Sequence, residues 1–315
     1  MLKYSKQKER TIIMKNKLKG TLSLLLCTII WGSAFVSQSM GMDHIGPFTF
    51  QAIRCFLAVI VLIPTIMIID HLKGGNKNFI AGWKNKDLWK AGILCGIPLF
   101  IACNLQQLGI AEDTDPGKSA FLTAMYIVLV PIIGIFQRKK PTKWIPLCVL
   151  LAVCGLYCLS CIGVTTIKAG DLLLLGCALA FAIQIVLIEK YAPNVDSLRL
   201  NAIQAVICAV FSSIVMLFTE KVELRSVVAC AVPLLHAGVL SMGVAYSLQI
   251  IGQKYLESTV SSLIMSLETV FAVLFGWMIM GKTLTKWEAI GCSLMFIAVI
   301  LSQLPDKSKH AKLSS

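Results

Sequence analysis

Charge is scarce in this chain, and acidic charge scarcest: 16 Asp and Glu stand against 29 Lys and Arg in 315 residues, 14% charged in all. A soluble domain needs a polar surface, and no stretch here supplies one. The longest polar connection, about residues 70–87 with Gly74-Gly75-Asn76 inside it, is too short to fold alone. Catalytic signatures are missing as well. There is no P-loop, no HExxH pair and no paired-aspartate motif of the kind membrane prenyl transferases carry, and the 4 His are too dispersed for metal ligation by spacing. No enzymatic activity, no metal and no cofactor is therefore expected. None of the 12 Cys falls in a loop predicted to face outward, which excludes a disulfide framework. Cys154, Cys158 and Cys161 share a face and read as small packing residues.

What is present is apolar. The chain is 57% hydrophobic, with a mean hydropathy of +0.80. A span needs about 20 mostly apolar residues to cross about 30 Å of hydrocarbon. Ten such runs are predicted, at 19–40, 47–69, 88–110, 116–136, 142–161, 169–190, 197–219, 228–252, 257–280 and 285–304. All must be helical, because backbone groups facing lipid have no water to bond. The fold class expected is all-α and integral to the membrane. Ala120 with Ala124 and Ala178 with Ala182 have the spacing of helix-packing faces. Pro64, Pro98, Pro131 and Pro233 fall inside spans, where each removes a backbone donor.

The formal charge of +13 invites a nucleic-acid reading. Its distribution rejects it. With the N-terminus inside, 22 of the 29 Lys and Arg lie on the inner side, six lie outside and one, Arg54, lies within a span. That is the positive-inside pattern, so the charge reports orientation and contact with anionic lipid. Both termini are expected in the cytoplasm and the protein in the plasma membrane, multi-pass, of bacterial inner-membrane type. Residues 1–18 read as a basic cytoplasmic tail, disordered over 1–13, and 305–315 as a second tail. No cleavable signal peptide is evident, and Met14 offers a second possible start.

The chain also repeats itself. Residues 105–144 and 248–287 align without a gap at an offset of 143, matching Leu105-Gln106 to Leu248-Gln249 and Thr142-Lys143-Trp144 to Thr285-Lys286-Trp287. Upstream the offset is 150, pairing Gly20 with Gly170, Cys27 with Cys177, and Ala52-Ile53 with Ala202-Ile203. Each half, 19–161 and 169–304, holds five spans. An odd number forces the second copy to enter the bilayer upside down, a plan common in secondary transporters.

Three ionisable residues fall deep in spans: Arg54, His236 and Glu268. From 1.5 Å per residue they lie roughly 10, 12 and 13 Å from the outer surface, at one level. Such groups must face protein or a water-filled cavity. Glu268 is placed to pair with Arg54 or to share a proton with His236. Their repeat counterparts are uncharged: Met125 for Glu268 and Gln204 for Arg54. Helical spacing collects neutral groups beside them. Trp31, Phe35 and Gln38 share one face; so do Asn104 with Gln107, Thr123 with Tyr126, Phe181 with Gln184, Tyr246 with Gln249, and Met265 with Glu268. Aromatics with a few polar groups suit an organic solute better than an ion filter.

Three motifs resemble a known family. Trp31-Gly32-Ser33-Ala34-Phe35 is similar to the opening "WGs-F" of the EamA branch of the drug/metabolite transporter superfamily. Ala52-Ile53-Arg54-Cys55-Phe56 resembles its second-span "aRf", and Leu267-Glu268-Thr269-Val270-Phe271-Ala272 its "LEPvfa". Two positions depart from the pattern. Thr269 replaces a proline, which leaves the expected kink of span 9 without its usual cause, and Lys282 stands where "GE" is usual. The resemblance implies a central cavity lined by spans 1, 3, 4, 6, 8 and 9. It also implies a carrier of a small organic metabolite, such as an amino acid or amine, working by alternating access. Export is the direction it favours, with an uptake carrier or facilitative exchanger of the same fold as the alternative and a channel or membrane enzyme less favoured still. The partners expected are that solute, membrane lipid and protons, and no nucleic acid.

Overall fold

The computed structural model describes residues 2–72, 79–112, 116–138, 143–160, 168–280 and 285–304, and these contain helices and no strand. Gly74–Asn76, most of the acidic turn at 113–115, Cys161, Lys282 and the 305–315 tail lie outside the described residues.

The hydropathic runs become helices. They are α1 (Leu2–Met42), α2 (Pro47–Leu72), a short α3 (Phe79–Trp83), α4 (Lys86–Ala111), α5 (Pro116–Thr123), α6 (Tyr126–Phe136), α7 (Ile145–Ser160), α8 (Ala169–Tyr191) and α9 (Ser197–Thr219). After α10 (Leu224–Ala229) and α11 (Ala231–Leu235) comes a π-helical segment, His236–Ala245, and then α12 (Tyr246–Gln253). The chain closes with α13 (Ser258–Met265), α14 (Glu268–Met280) and α15 (Lys286–Ser302). Among the described residues, 8 helical stretches are long and apolar enough to cross a membrane. One shorter apolar helical stretch, Ile145–Leu159, lies within α7, and α15, of 17 residues, is the last helix among the described residues.

Helix starts follow local chemistry. The Asn85 side chain accepts from Asp87 N, Asp196 from Arg199 N, and Thr285 with Glu288 forms a reciprocal box. The expected disorder over 1–13 is corrected, because α1 runs back to Leu2. No Gly or Pro interrupts the chain before Gly20, and Lys, Gln, Glu, Leu and Met are good helix formers.

Two apolar stretches break midway. Between α5 and α6 the bonds tighten to Met125 N→Leu122 O (3.2 Å) and Ile127 N→Ala124 O (3.0 Å). Between α13 and α14 they tighten to Leu267 N→Ile264 O (3.1 Å) and Thr269 N→Ser266 O (3.2 Å). These are short 3₁₀-type steps. The second break forms with Thr269 at the position where the resemblance expects a proline.

Small residues set the helix crossings. A Cβ on Gly109 would meet Leu174 Cγ at 2.6 Å and Gly170 O at 3.0 Å; one on Gly252 would meet Leu24 Cγ at 2.6 Å and Gly20 O at 3.0 Å. So α4 lies hard against α8, and α12 against α1. Where α7 crosses α15, Gly155 faces Gly291 O and Met295, while Gly291 faces Leu159. Contacts that run backward along α15 as α7 advances make that pair antiparallel. Ala120, Ala124, Ala178 and Ala182 are all fully buried, as their spacing predicts.

Another tight pair is α2 with α9, and acidic side chains clasp both its ends. Asp70 pairs with Arg199 at one end. At the other, Glu220 accepts Phe48 N (2.9 Å), Thr49 N (2.8 Å) and Thr49 Oγ1 (2.6 Å), satisfying the first free amides of α2.

Candidate functional site

Where α1, α2, α4, α8 and α12 converge on the two helix breaks, the chain lines a small cavity of about 30 Å³. Its wall holds Thr123 and Tyr126, on either side of the first break, and Met265 and Glu268, on either side of the second. Helix α1 contributes Trp31, Phe35 and Gln38, α2 contributes Arg54, α8 contributes Phe181, and α12 contributes Tyr246 and Gln249. Trp31 and Tyr246 meet edge to face, ring centroids 4.9 Å apart. These eleven predicted site residues are brought together.

Four others lie elsewhere. Asn104 turns to α9, where its Nδ2 donates to Ser212 Oγ at 2.9 Å. Gln107 donates to the backbone carbonyl of Gln38 at 3.4 Å. Gln184 sits behind the wall, accepting from Gln249 (3.1 Å) and donating to Gln204 Oε1 (3.2 Å). His236 opens the π segment, with Nε2 3.1 Å from Ser33 Oγ and Nδ1 3.0 Å from Ser37 Oγ. It ties α1 to the π segment and does not line the cavity.

Sequence reasoning missed Ala34, Gln106, Ile185 and Ser241, all in the wall. Gln106 could have been found, since it is the repeat counterpart of Gln249. Helical spacing from Asn104 selected its neighbour Gln107 instead, and both of those face away.

The expected pairing of Glu268 with Arg54 or His236 is not what the chain forms. Glu268 accepts a hydrogen bond from the Tyr126 hydroxyl at 3.0 Å. Arg54 Nη1 donates to Gln38 Oε1 at 2.7 Å, and its guanidinium lies 6.0 Å from the Phe50 ring. Arg54 is 2% exposed and Glu268 4%. Arg54 Nε, Trp31 Nε1 and Gln249 Oε1 are buried with no hydrogen-bond partner among the described residues. Buried polar atoms are normally satisfied; ten more unpartnered ones lie elsewhere among the described residues.

The π segment orients part of this wall. Tyr246 N bonds to Ser241 O, five residues back. Asn201 on α9 donates to the carbonyls of Met242 and Gly243, each at 3.0 Å, where the pattern returns to α. Long π runs are rare and concentrate at functional sites.

Known proteins share this architecture. Residues 18–161 and 168–304 each match the EamA-like transporter family. An uncharacterized transporter of Archaeoglobus fulgidus is 31% identical over 295 residues, covering 91% of this chain and 87% of its own. The uncharacterized transporter YoaV of Bacillus subtilis is 23% identical over 296 residues, covering 90% of this chain and 96% of its own. A solved crystal structure shares the fold, with a TM-score of 0.72 at 14% identity over 94% of this chain and 99% of that one.

Proposed function

This chain belongs to the EamA-like transporter family, and from that membership we propose a secondary carrier that moves a small organic solute across the plasma membrane by alternating access. In this reading residues 1–18 and 305–315 are cytoplasmic tails. Residues 19–161 and 169–304 are five-span repeats of opposite orientation, with α7 and α15 as spans five and ten. The equivalent glycine contacts, Gly109 on Gly170 and Gly252 on Gly20, support it, because they recur at the offsets that align the two halves.

One observation carries the proposal. The cavity sits at two helix breaks that fall at corresponding places in the two halves, one beside Tyr126 and the other beside Glu268. Broken helices at mid-membrane put polar backbone and side chains where a solute can use them, and two related halves can rock about such a site. Glu268 is the proton-sensitive contact of the cavity; His236 serves the junction between α1 and the π segment. Export is the direction the family resemblance favours.

The test is reconstitution of the full chain in liposomes. Saturable counterflow of an organic solute is expected, abolished in Glu268→Gln and retained in His236→Ala. Unitary ionic currents, or flux indifferent to Glu268→Gln, would overturn the reading.

A further inference from the structure

Arg54 is a buried charge with no carboxylate paired to it among the described residues. An arginine stays protonated in any protein environment, and buried charges are ordinarily paired. Arg199 has Asp70 and Lys118 has Asp171. Arg54, 2% exposed, has the neutral amide of Gln38 at 2.7 Å. That amide is itself held, because Gln38 Nε2 donates to Ala34 O at 3.3 Å and so keeps its oxygen on Arg54 Nη1. The titratable groups around the guanidinium are the thiols of Cys55, Cys103 and Cys208 and the hydroxyl of Tyr246. In their ordinary state at neutral pH these carry no charge. Glu268 accepts from Tyr126 and stays apart from Arg54.

We propose that Arg54 holds a monatomic anion, a halide such as chloride, in the central cavity. Size supports it. The 30 Å³ of room admits about two water molecules, at roughly 10–15 Å³ apiece, or one such ion. An organic solute fills a site of roughly 300–1,000 Å³ and needs a wider form of this one. The donors support it too. Arg54 Nε and Trp31 Nε1 are buried without a partner among the described residues, and both residues belong to the wall. Water would satisfy those two bonds as well, but water cannot neutralise a guanidinium; an anion does both. Gln249 Oε1, the third unpartnered atom of the wall, is an acceptor and is left to water.

The repeat isolates the same two donors. At the offset of 150, Gln204 stands for Arg54 and Phe181 for Trp31. An uncharged amide and a ring without an N–H therefore serve the other copy. The duplicated frame needs neither donor; an anion needs both. Glu268 faces the same cavity, and its ionised form would repel a halide, so the ion and a proton on Glu268 favour each other. The other titratable groups around Glu268 are Tyr126, Cys27 and Cys177, and His236 is bonded to Ser33 and Ser37. The charge balance of the cavity thus turns on Arg54 and Glu268.

The experiment is a melting curve of the purified full chain, with sodium chloride exchanged stepwise for sodium gluconate at constant ionic strength. Chloride and bromide are expected to raise the melting temperature along a saturating curve, as ligands of the folded state do. Gluconate, far larger than the cavity, should not, and choline chloride should act like sodium chloride. Arg54→Gln should abolish the chloride shift. Trp31→Phe, which leaves the ring that the other copy uses, should weaken chloride about tenfold, the effect of one hydrogen bond to a charged group. Glu268→Gln should bind chloride at least as tightly as the unaltered chain and lose the gain in affinity that falling pH otherwise brings. If Arg54→Gln fails to fold, Trp31→Phe and the anion series decide. A shift that is the same in gluconate, that tracks sodium or that survives Arg54→Gln overturns the proposal and leaves the cavity to water. Binding is read without flux, so the two readings fail separately. Saturable chloride binding in a chain that moves no organic solute counts against the carrier alone, and solute flux with no halide shift counts against this site alone.

Discussion

Glu268 owes its position to one hydroxyl. Tyr126 donates to it across the two helix breaks at 3.0 Å, and both residues are buried. Tyr126→Phe keeps the ring and removes the donor. A buried hydrogen bond contributes about 0.5–1.5 kcal/mol net, so the variant should lose stability on that scale. The same change made in Glu268→Gln should cost a different amount, because an amide then takes the carboxyl's place as partner of the hydroxyl. A double-mutant cycle on melting temperatures reads the difference; additive effects would mean that no coupling passes through this bond. At this scale the sequence was informative about residue type and less so about direction. Apolar spans make Arg54 and Glu268 conspicuous, and eleven of the predicted site residues share one wall. A helix face assigned by spacing fails where a tertiary partner claims the side chain, as Ser212 claims Asn104 and the two serines of α1 claim His236.

Between elements the least expected feature is the π segment, His236–Ala245, and Asn201 is what holds its end. Gly243 O keeps a second donor in Ser247 Oγ at 2.7 Å, so removing the Asn201 amide falls hardest on Met242 O. Asn201→Leu should therefore lower stability by about 1–3 kcal/mol, the cost of a buried acceptor left unmet. It should also weaken solute binding, because Tyr246 and Gln249 follow directly on the segment. Melting temperature and a ligand-induced shift measure the two effects. A variant that melts and binds like the unaltered protein would show that the π segment holds its own geometry. Neither this segment nor the break beside Tyr126 was legible beforehand, and the kink expected by resemblance in span 9 had lost its usual cause with Thr269. Hydropathy locates apolar runs but is blind to how the backbone bonds within them. Neither break coincides with one of the prolines predicted to lie inside spans, Pro64, Pro98, Pro131 and Pro233. Eight of the ten expected spans were legible as helices long and apolar enough to cross a membrane, since the lipid requirement for about 20 apolar residues acts on composition alone.

Across the whole molecule, the clasps on α2 and α9 carry the internal duplication into three dimensions. Asp70 and Glu220 are 150 residues apart, and so are their partners Thr49 and Arg199. Asp70 reaches Arg199 at one end of the pair while Glu220 reaches Thr49 at the other. The offset could be read from the sequence. The contact could not, because an ion pair in one copy corresponds to an amide-and-hydroxyl cradle in the other. Such exchanged partners are what two antiparallel copies produce, and they fix a consequence for topology. If the halves are upended relative to each other, Lys143 and Lys286, equivalent at the offset of 143, must lie on opposite faces of the membrane. Lys143→Cys and Lys286→Cys, each in a background lacking the native cysteines, make this measurable with a membrane-impermeant maleimide. By the positive-inside expectation Lys143 lies inside. It should react only after the cells are opened, and Lys286→Cys should react in intact cells. Labelling of both from one side would put the two copies in the same orientation, and the cavity between them could not then be exposed alternately by a symmetric rocking of its halves.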